Sequence, residues 1–282
     1  MIIAVSGSTG ALGTHVVDAL LERHPADQIV ALARDTAKAA PLADRGVVIR
    51  EADYDRPDTL AAALAGVDRL LLISGNDLVN RVAQHRAVID AAREAGATRL
   101  VYTSVLGAGA TTLPIASDHV QTEEYLAASA IPSAVLRNGW YNENYLPTMD
   151  SVAQTGTLVT NAGEGRVASA ARADYAEAAA IVLTADAVQP VYELSGDIAW
   201  TQDQLGAAIA EVLGTQVSVQ HVSAEEHARI LVQSGAPEAM TGYFTGMDTA
   251  IADGALAVHA GELGALLGRP TTPLIDTLRT GR

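Results

Sequence analysis

The sequence feature that most limits the possible folds is a glycine-rich turn directly after the first apolar segment. Residues 2–5 read Ile-Ile-Ala-Val, residues 7–13 read Gly-Ser-Thr-Gly-Ala-Leu-Gly, and residues 11–23 have the apolar spacing of a helix. Glycines three residues apart between a strand and a helix permit a tight turn and let backbone N–H groups approach a pyrophosphate. The alternative is a glycine-rich turn without a ligand. Because a strand precedes the turn and a helix follows it, the sequence favours dinucleotide binding.

The first half of the chain alternates short β-branched or leucine-rich segments with amphipathic ones. This alternation is typical of βαβ units and a parallel sheet. Residues 70–73 are apolar at every position, as expected of a strand covered by helices on both faces. The predicted strands are residues 2–6, 28–34, 47–52, 69–74, 99–103 and 133–137. They indicate an α/β fold with a doubly wound parallel sheet of the Rossmann type.

The pattern becomes more mixed after about residue 150. The predicted elements there are a helix at residues 174–185, a strand at residues 191–194, a helix capped by Thr201 and running to Leu213, and a strand at residues 216–221. These elements predict a smaller, mixed α/β lobe on the substrate side. We therefore expect a dinucleotide-binding domain at residues 1–153 and a substrate lobe at residues 154–282.

Composition excludes several classes of function. The 282 residues include 33 acidic and 18 basic side chains, and the net charge of −15 opposes the phosphate backbone of a nucleic acid. There is no cysteine, and the seven histidines form no close ligand cluster, so we expect no metal site. The apolar segments are shorter than the ~20 residues that span a bilayer. No basic segment precedes the first strand, as it would in a signal peptide, and we expect a cytoplasmic protein.

The end of the second predicted strand indicates the choice of nicotinamide cofactor. An acidic residue at this place binds the ribose 2′-hydroxyl of NAD, whereas an arginine accommodates the 2′-phosphate of NADP. Here the strand ends in Leu-Ala-Arg-Asp, with Arg34 about twenty residues beyond Gly13. Arg34 favours NADP(H), with NAD(H) as the alternative. A surface arginine paired with Asp35 or Asp53 is the structural alternative.

Polar residues also follow the third and fourth predicted strands. Asp53 and Tyr54 come after one, and Ser74 and Gly75 after the other. The carboxyl ends of parallel strands face the ligand crevice. We therefore expect Asp53 to approach the adenine and Ser74 and Gly75 to line the middle of the cofactor, although either pair could be ordinary turn residues.

Lysine is nearly absent, which limits the chemistry. The 18 basic residues are 17 arginines and Lys38, and no tyrosine lies four residues before that lysine. The Tyr-x-x-x-Lys pair of ordinary short-chain dehydrogenases, which protonates an alkoxide, is therefore excluded. His119 and Glu123 lie four residues apart on a predicted helix, where that pair would otherwise be. They could orient a substrate or relay a proton, or they could be ordinary surface residues.

The chain resembles the atypical short-chain dehydrogenases of the NmrA-like group, in particular type 2 NAD(P)H:quinone oxidoreductases and triphenylmethane reductase. The run Arg-Asn-Gly-Trp-Tyr at residues 137–141 is the most specific part of this resemblance. The stretches that carry it are residues 6–13, 33–34, 52–54, 71–75, 102–104, 119–123, 136–141, 159–163 and 171–174. Arg137 itself is expected to serve the structure by binding loop carbonyls.

The resemblance implies a reductase that uses NADPH to reduce quinone-like or dye-like acceptors. The catalytic residues that it implies are His119, Tyr141 and Asn142. The cofactor-binding residues are Gly7, Ser8, Thr9, Gly10, Ala11, Leu12, Gly13, Arg34, Asp53, Tyr54, Ser74, Gly75, Thr103, Ser104, Asn138, Gly139 and Trp140. Since some NmrA-like proteins sense NADP(H) without catalysis and act through protein contacts, a sensor is the alternative function. The sequence leaves the oligomeric state open, a homo-oligomer included.

The chemistry of a quinone agrees with the missing Tyr-x-x-x-Lys pair. A quinone accepts hydride readily, and its reduced oxygen is a phenolate, which is a far weaker base than an alkoxide. Proximity and orientation of the two rings could then supply most of the catalysis. A sugar-nucleotide epimerase shares the glycine turn and the two lobes, but it normally needs the absent pair.

Overall fold

The computed structural model describes residues 1–258 and 260–281, and it gives the side chains of all of these except Glu238 and Ala239. The strands are β1 Ile3–Val5, β2 Ile29–Ala33, β3 Val48–Glu51, β4 Arg69–Leu72, β5 Arg99–Val105, β6 Ser133–Asn138, β7 Thr157–Thr160, β8 Arg166–Val167, β9 Val191–Leu194, β10 Trp200–Thr201 and β11 Ser218–His221. The helices are α1 Ala11–Leu21, α2 Ala40–Ala43, α3 Pro57–Leu64, α4 Arg81–Glu94, α5 Ala116–Ala128, α6 Leu146–Thr155, α7 Arg172–Thr184, α8 Gln202–Leu213, α9 Ala224–Gln233, α10 Glu238–Ala252, α11 Glu262–Leu267 and α12 Leu274–Thr280.

The chain divides into two compact units, each built from separate segments. Unit 1 consists of Met1–Ala108, Ser117–Asn138 and Arg172–Glu193. Unit 2 consists of Gly109–Ala116, Gly139–Ala171 and Leu194–Arg282.

Unit 1 is built on a seven-stranded sheet in the order β3-β2-β1-β4-β5-β6-β9. The pairs from β3 through β6 are parallel. Leu70, Leu72, Leu100 and Tyr102 are fully buried, because helices cover the sheet and leave no face for water. They belong to a core cluster that includes Leu60 of α3 and residues of α4.

Helix α7 ends against two arginines of the sheet. Arg69 Nη1 donates to the carbonyl oxygen of Leu183 at 2.6 Å, and Arg99 Nη1 donates to that of Ala185 at 2.5 Å. The last carbonyls of a helix have no partner within the helix, and a cation there also offsets the negative end of the helix dipole. These contacts fix α7 to the amino ends of β4 and β5.

Unit 2 contains two small sheets, with β10 antiparallel to β8 and β11 parallel to β7. Asn161, directly after β7, links this strand to two helices. Its Oδ1 lies 2.6 Å from His227 Nδ1 of α9, and its backbone N–H donates to Asp248 Oδ2 of α10 at 2.8 Å. Helix α8 begins at a capping box, in which Thr201 and Gln204 bind each other's backbone N–H groups.

The structure confirms the predicted fold class, with a strand at each of the six predicted places and the helix cap at Thr201. It differs at residues 191–194, which the sequence assigned to the second lobe. This segment, β9, is the seventh strand of the main sheet. The boundary between residues 153 and 154 stays a prediction. No helix among the described residues is long and apolar enough to cross a membrane.

Candidate functional site

The loops after β1 and β4 lie where the strand order of the main sheet reverses. β1 pairs with β2 on one side and with β4 on the other. Ligands of open parallel sheets bind at such a point, beyond the carboxyl ends of the strands. The two loops are tied together, since the backbone N–H of Ile73 donates to Ser6 Oγ at 2.9 Å. This edge of unit 1 is the candidate cofactor site.

The glycine turn has the geometry that the sequence predicts. Gly7 has φ +58°, and the N–H of Gly10 donates to the Gly7 carbonyl oxygen at 2.9 Å. A Cβ on Gly13 would lie 2.1 Å from that same oxygen, so only glycine fits. Helix α1 begins at Ala11 without a side-chain cap. The first N–H groups of a helix have no partner within it, and they are therefore available to an anion such as a pyrophosphate.

Within the turn, the side chains differ in exposure and therefore in role. Thr9, Gly10 and Ala11 are exposed. Ser8 is fully buried, and its Oγ donates to the Leu32 carbonyl oxygen at 2.9 Å, while Leu12 is buried in the core. Ser8 and Leu12 can therefore meet a ligand through their backbone, whereas their side chains hold the turn against the sheet.

Arg34 is exposed at the residue directly after β2. The two carboxylates that could have paired with it are engaged elsewhere. Asp35 Oδ1 accepts from the Ala37 N–H at 3.0 Å, and Asp53 Oδ2 accepts from Arg56 Nε at 3.3 Å. Among the side chains that the structure describes, none forms an ion pair or a hydrogen bond with the Arg34 guanidinium. A guanidinium in this place is free to bind a 2′-phosphate.

Asp53 and Tyr54 lie after β3 in a compact turn. Asp53 donates its N–H to Thr59 Oγ1 at 2.9 Å, and its Oδ1 accepts from the Asp55 N–H at 3.1 Å. Tyr54 packs against the core cluster of unit 1, and burial raises its pKa to about 12. The core packing of Tyr54 favours the simple structural interpretation for this residue. The Asp53 carboxylate lies at the sheet edge, where its oxygens accept from the Asp55 N–H and from Arg56 Nε.

Ser74, Thr103 and Ser104 are joined to other parts of unit 1. The Ser74 N–H donates to Thr103 Oγ1 at 2.9 Å, which links the loop after β4 to β5. Ser104 Oγ donates to Glu123 Oε1 at 2.5 Å. Since a serine hydroxyl has one proton, the Ser104 hydroxyl can offer a further ligand only an acceptor.

Arg137 on β6 forms an ion network with two carboxylates. It binds Glu123 at both oxygens, Nε to Oε1 at 3.0 Å and Nη2 to Oε2 at 2.6 Å, and its Nη1 donates to Glu193 Oε1 at 2.8 Å. These contacts raise the pKa of the guanidinium, and Glu123 is the largest cause. The expectation that Arg137 binds loop carbonyls was wrong, because both of these partners are carboxylates. Both carboxylate oxygens of Glu123 are bound in this network, and no hydrogen bond between Glu123 and His119 is seen among the described residues.

His119 on α5 is only 4% exposed, and its Nδ1 lies 2.8 Å from the hydroxyl of Tyr102, which is fully buried on β5. Burial is the main cause that lowers the pKa of His119 to about 3, and the nearby Arg81 charge acts in the same direction. The ring is therefore neutral at neutral pH. This environment favours a role in orienting neighbouring groups over a role as a protonated acid.

The predicted residues 138–142 divide between the two units. Asn138 ends β6 in unit 1, where its carbonyl oxygen accepts from the Leu106 N–H at 2.9 Å. Gly139, Trp140 and Tyr141 belong to unit 2, and all three are half-buried. The Trp140 carbonyl oxygen accepts from the Ala170 N–H at 3.2 Å. The backbone here is therefore fixed, while the aromatic side chains stay partly accessible.

Asn142 is fully buried in unit 2, and its amide is used by the protein itself. Nδ2 donates to the Thr272 carbonyl oxygen at 3.1 Å and to Thr277 Oγ1 at 3.0 Å, and Oδ1 accepts from Ser169 Oγ at 2.6 Å. Ser169 Oγ in turn accepts from Trp200 Nε1 at 2.9 Å. Because its amide is bound within the protein, Asn142 is less suited to the predicted contact with a substrate than to positioning Tyr141.

Asn142→Ala is expected to lower the free energy of unfolding by about 3 kcal/mol, because it leaves buried partners without hydrogen bonds. Chemical denaturation followed by circular dichroism measures this loss. The exposed Gln216→Ala variant, in the loop before β11, is the control, with an expected change within about 0.5 kcal/mol. Lost activity at unchanged stability would instead favour direct contact between Asn142 and the substrate.

Three residues near the site were missed by the sequence analysis. Arg81, Gln84 and His85 are buried at the start of α4. Their spacing continues into Val88 and Ile89, which face the core. The sequence does contain a signal for them. The core-facing positions of this helix are polar in its first two turns, and the helix follows the loop that contains Ser74 and Gly75. A group of side chains suited to holding a metal ion is not found in the described part of the chain.

Comparison with known proteins identifies the family. A family model described as NAD(P)H-binding matches residues 7–186. Quinone oxidoreductase 2 of Escherichia coli strain K12 is 43% identical over 277 residues, which cover 98% of this chain and 97% of that protein. The crystal structure of the Escherichia coli NADPH-dependent quinone oxidoreductase QOR2 with NADPH has a TM-score of 0.96 at 42% identity, covering 99% of each chain. Triphenylmethane reductase of Citrobacter sp. with NADP(H) has a TM-score of 0.94 at 38% identity, covering 99% of this chain and 100% of that one. This chain therefore belongs to the NAD(P)H-binding family, within the NmrA-like short-chain dehydrogenases that its sequence resembles.

Proposed function

We propose that this protein is an NADPH-dependent reductase of quinones or of similar conjugated, electron-poor acceptors such as dyes. The observation that carries the proposal is the 43% identity to quinone oxidoreductase 2 over nearly the whole of both chains. The similarity to triphenylmethane reductase, whose structure is described in relation to triphenylmethane dyes, extends the proposed acceptors to delocalised dyes of that kind. We also propose a cytoplasmic location, as expected from the sequence.

The residues of unit 1 fit the cofactor. The close approach of Gly13 to the Gly7 carbonyl leaves no room for a side chain, and the N–H groups at the start of α1 suit a pyrophosphate. Arg34, which pairs with no carboxylate among the side chains that the structure describes, suits the 2′-phosphate. The other residues assigned to the cofactor site lie at or just after the carboxyl ends of β3, β4, β5 and β6. They are Asp53, Ser74, Gly75, Thr103, Ser104 and Asn138. Gly139 and Trp140 stay assigned to it by resemblance.

Catalysis in this proposal depends on orientation. When bound, NADPH supplies the hydride, and the chain supplies binding and alignment of the two rings. The Ser104 proton is held by Glu123, and His119 is neutral and bound to Tyr102, so neither is a ready acid. A quinone suits such a site because its reduced form is a weak base. Tyr141 is assigned to contact with the acceptor, and His119 and Asn142 to positioning.

A kinetic panel tests the reaction. The purified protein should oxidise NADPH, seen as loss of the nicotinamide absorbance, with several quinones and triarylmethane dyes at rates well above those without protein. Simple aliphatic ketones, whose reduced oxygen is strongly basic, should give no rate. Tight NADPH binding without turnover of any acceptor would instead favour an NADP(H) sensor that acts through protein contacts.

Arg34→Ala tests the choice of cofactor. We expect NADPH binding to weaken by about 10- to 100-fold, because a hydrogen bond to a charged group is worth ~1.5–3 kcal/mol. NADH binding should change by less than about twofold, since NADH has no 2′-phosphate. Dissociation constants for both cofactors, measured by calorimetry, check the prediction.

Arg45→Ala is a matched control, because Arg45 is also a surface arginine but precedes β3 at the amino edge of the sheet, where it pairs with Asp18. Its loss removes the same charge and should leave both dissociation constants nearly unchanged. An equal loss of NADPH and NADH affinity in Arg34→Ala would contradict the assignment.

A further inference from the structure

The first two turns of α4 bury three polar side chains. Arg81 is 6% exposed, Gln84 is 8% exposed and His85 is fully buried. Burying such groups costs free energy unless each finds a partner. Their partners lie in the loops after β3 and β4 and on helix α5.

Both backbone polar groups of Gly75 are bound by this helix. The Gly75 N–H donates to His85 Nε2 at 3.0 Å, and Arg81 Nε donates to the Gly75 carbonyl oxygen at 2.7 Å. Gln84 Nε2 donates to Asp55 Oδ1 at 2.8 Å, which reaches the loop after β3. The helix therefore holds two loops of the candidate cofactor site.

The hydrogen bonds around His85 determine which ring nitrogen carries the proton. Since Nε2 accepts from Gly75, the ring proton is on Nδ1, which lies 3.0 Å from Thr122 Oγ1. The Thr122 hydroxyl in turn donates a hydrogen bond to the Asp118 carbonyl oxygen at 2.8 Å. Charged or titratable groups around the ring are Arg81 of α4, Tyr102 of β5, and Asp118 and His119 of α5. Burial and Arg81 lower the pKa of His85 to about 4, so the ring is neutral near pH 7.

The loop that His85 holds lies against the glycine turn. Ile73 donates to Ser6, and a Cβ on Gly7 would lie 3.7 Å from Ile73 Cβ. A shift of Gly75 would therefore move the backbone next to the first glycine of the turn.

We infer that His85 and Arg81 are positioning residues of the cofactor site, which fix the Gly75 peptide beside the glycine turn and so set the affinity for NADPH. This inference rests on the proposed cofactor site in unit 1. Neither side chain needs to touch the cofactor, because each acts through the Gly75 backbone.

The test compares His85→Leu, which removes the acceptor, with His85→Gln, whose amide oxygen can accept from Gly75 without titrating. Hydrogen exchange of the segment around Gly75 in the free protein measures how firmly His85 and Arg81 hold the Gly75 peptide. NADPH dissociation constants, KM and kcat measure the effect on cofactor binding and turnover. We expect His85→Leu to speed exchange and weaken NADPH binding by about tenfold with kcat within about twofold, since about one hydrogen bond is lost. His85→Gln should restore both.

Val88→Ala is the matched control, because it makes a cavity one turn further along α4 without touching Gly75. It should lower stability but leave exchange at Gly75 and NADPH affinity nearly unchanged. Arg81→Met removes the hydrogen bond to the Gly75 carbonyl oxygen and should also weaken NADPH binding. This variant replaces His85→Leu in the test if His85→Leu does not fold.

The outcomes separate the two proposals. Fast exchange at Gly75 with unchanged NADPH affinity would overturn the positioning role, as would equal loss of affinity in Val88→Ala. Failure of the wild-type protein to bind NADPH, with Gly75 protected, would instead overturn the proposed cofactor site.

Discussion

Gly13→Ala is expected to weaken NADPH binding by on the order of 100-fold or more. The added Cβ would lie 2.1 Å from the Gly7 carbonyl oxygen and 2.7 Å from the Ser8 Cα, and both are backbone atoms that no side-chain rotation can move away. The turn must therefore open, and the N–H groups at the start of α1 lose their alignment. Overpacking of this kind costs ~1–3 kcal/mol and occasionally more. Calorimetric titration with NADPH measures the loss.

Gly242→Ala is the control for this variant, since a Cβ at Gly242 on α10 meets nothing within 4 Å. It should bind NADPH as the wild type does. Retention of near wild-type NADPH affinity by Gly13→Ala would show that the pyrophosphate does not rest on this turn.

Lowering the pH to about 5 is expected to destabilise the protein through two buried histidines, by about 2 kcal/mol for each ring. In the folded chain, burial lowers the pKa of His85 to about 4 and that of His119 to about 3. In the unfolded chain both have the ordinary value of about 6.5 and take up protons below it. The unfolded state then binds more protons, so the free energy of unfolding falls as the pH drops from 6.5 towards 4.

Chemical denaturation at a series of pH values measures this loss. His85→Gln and His119→Gln each remove one titrating ring, and each should reduce the fall at about pH 5 by about 2 kcal/mol. His15→Gln, at an exposed position of α1, controls for the loss of a histidine as such. If neither buried variant changes the pH dependence, the two rings are not held neutral in the fold.

The glycine turn and the main sheet were predictable because their signals are local. Glycines three apart between a strand and a helix specify the backbone of the turn, and the all-apolar stretch at β4 specifies a strand covered on both faces. Arg34 was also placed correctly behind β2, since its position depends only on where that strand ends. The partners of Asp35 and Asp53 lie within a few residues of each and needed no tertiary information.

The place of β9 was not predictable, because a four-residue strand with alternating burial carries no local sign of the sheet it joins. The partners of Arg137 were predicted wrongly for a related reason, and the internal hydrogen bonds of Asn142 were not predicted at all. Their partners, such as Glu193 and Thr277, lie 56 and 135 residues away. Sequence spacing identified these side chains as special, but only the fold shows that each one's hydrogen bonds are used within the protein.

The interleaving of the two units along the chain has a consequence for biosynthesis. Unit 1 needs Arg172–Glu193 for helix α7 and for its edge strand, so its sheet cannot be completed until these residues have left the ribosome. A fragment that stops at residue 153 would leave β6 as an open edge, and unpaired edges invite pairing with other chains. Expression of the nucleotide-binding half alone is therefore expected to give aggregates, whereas a nick inside unit 2 would spare the sheet.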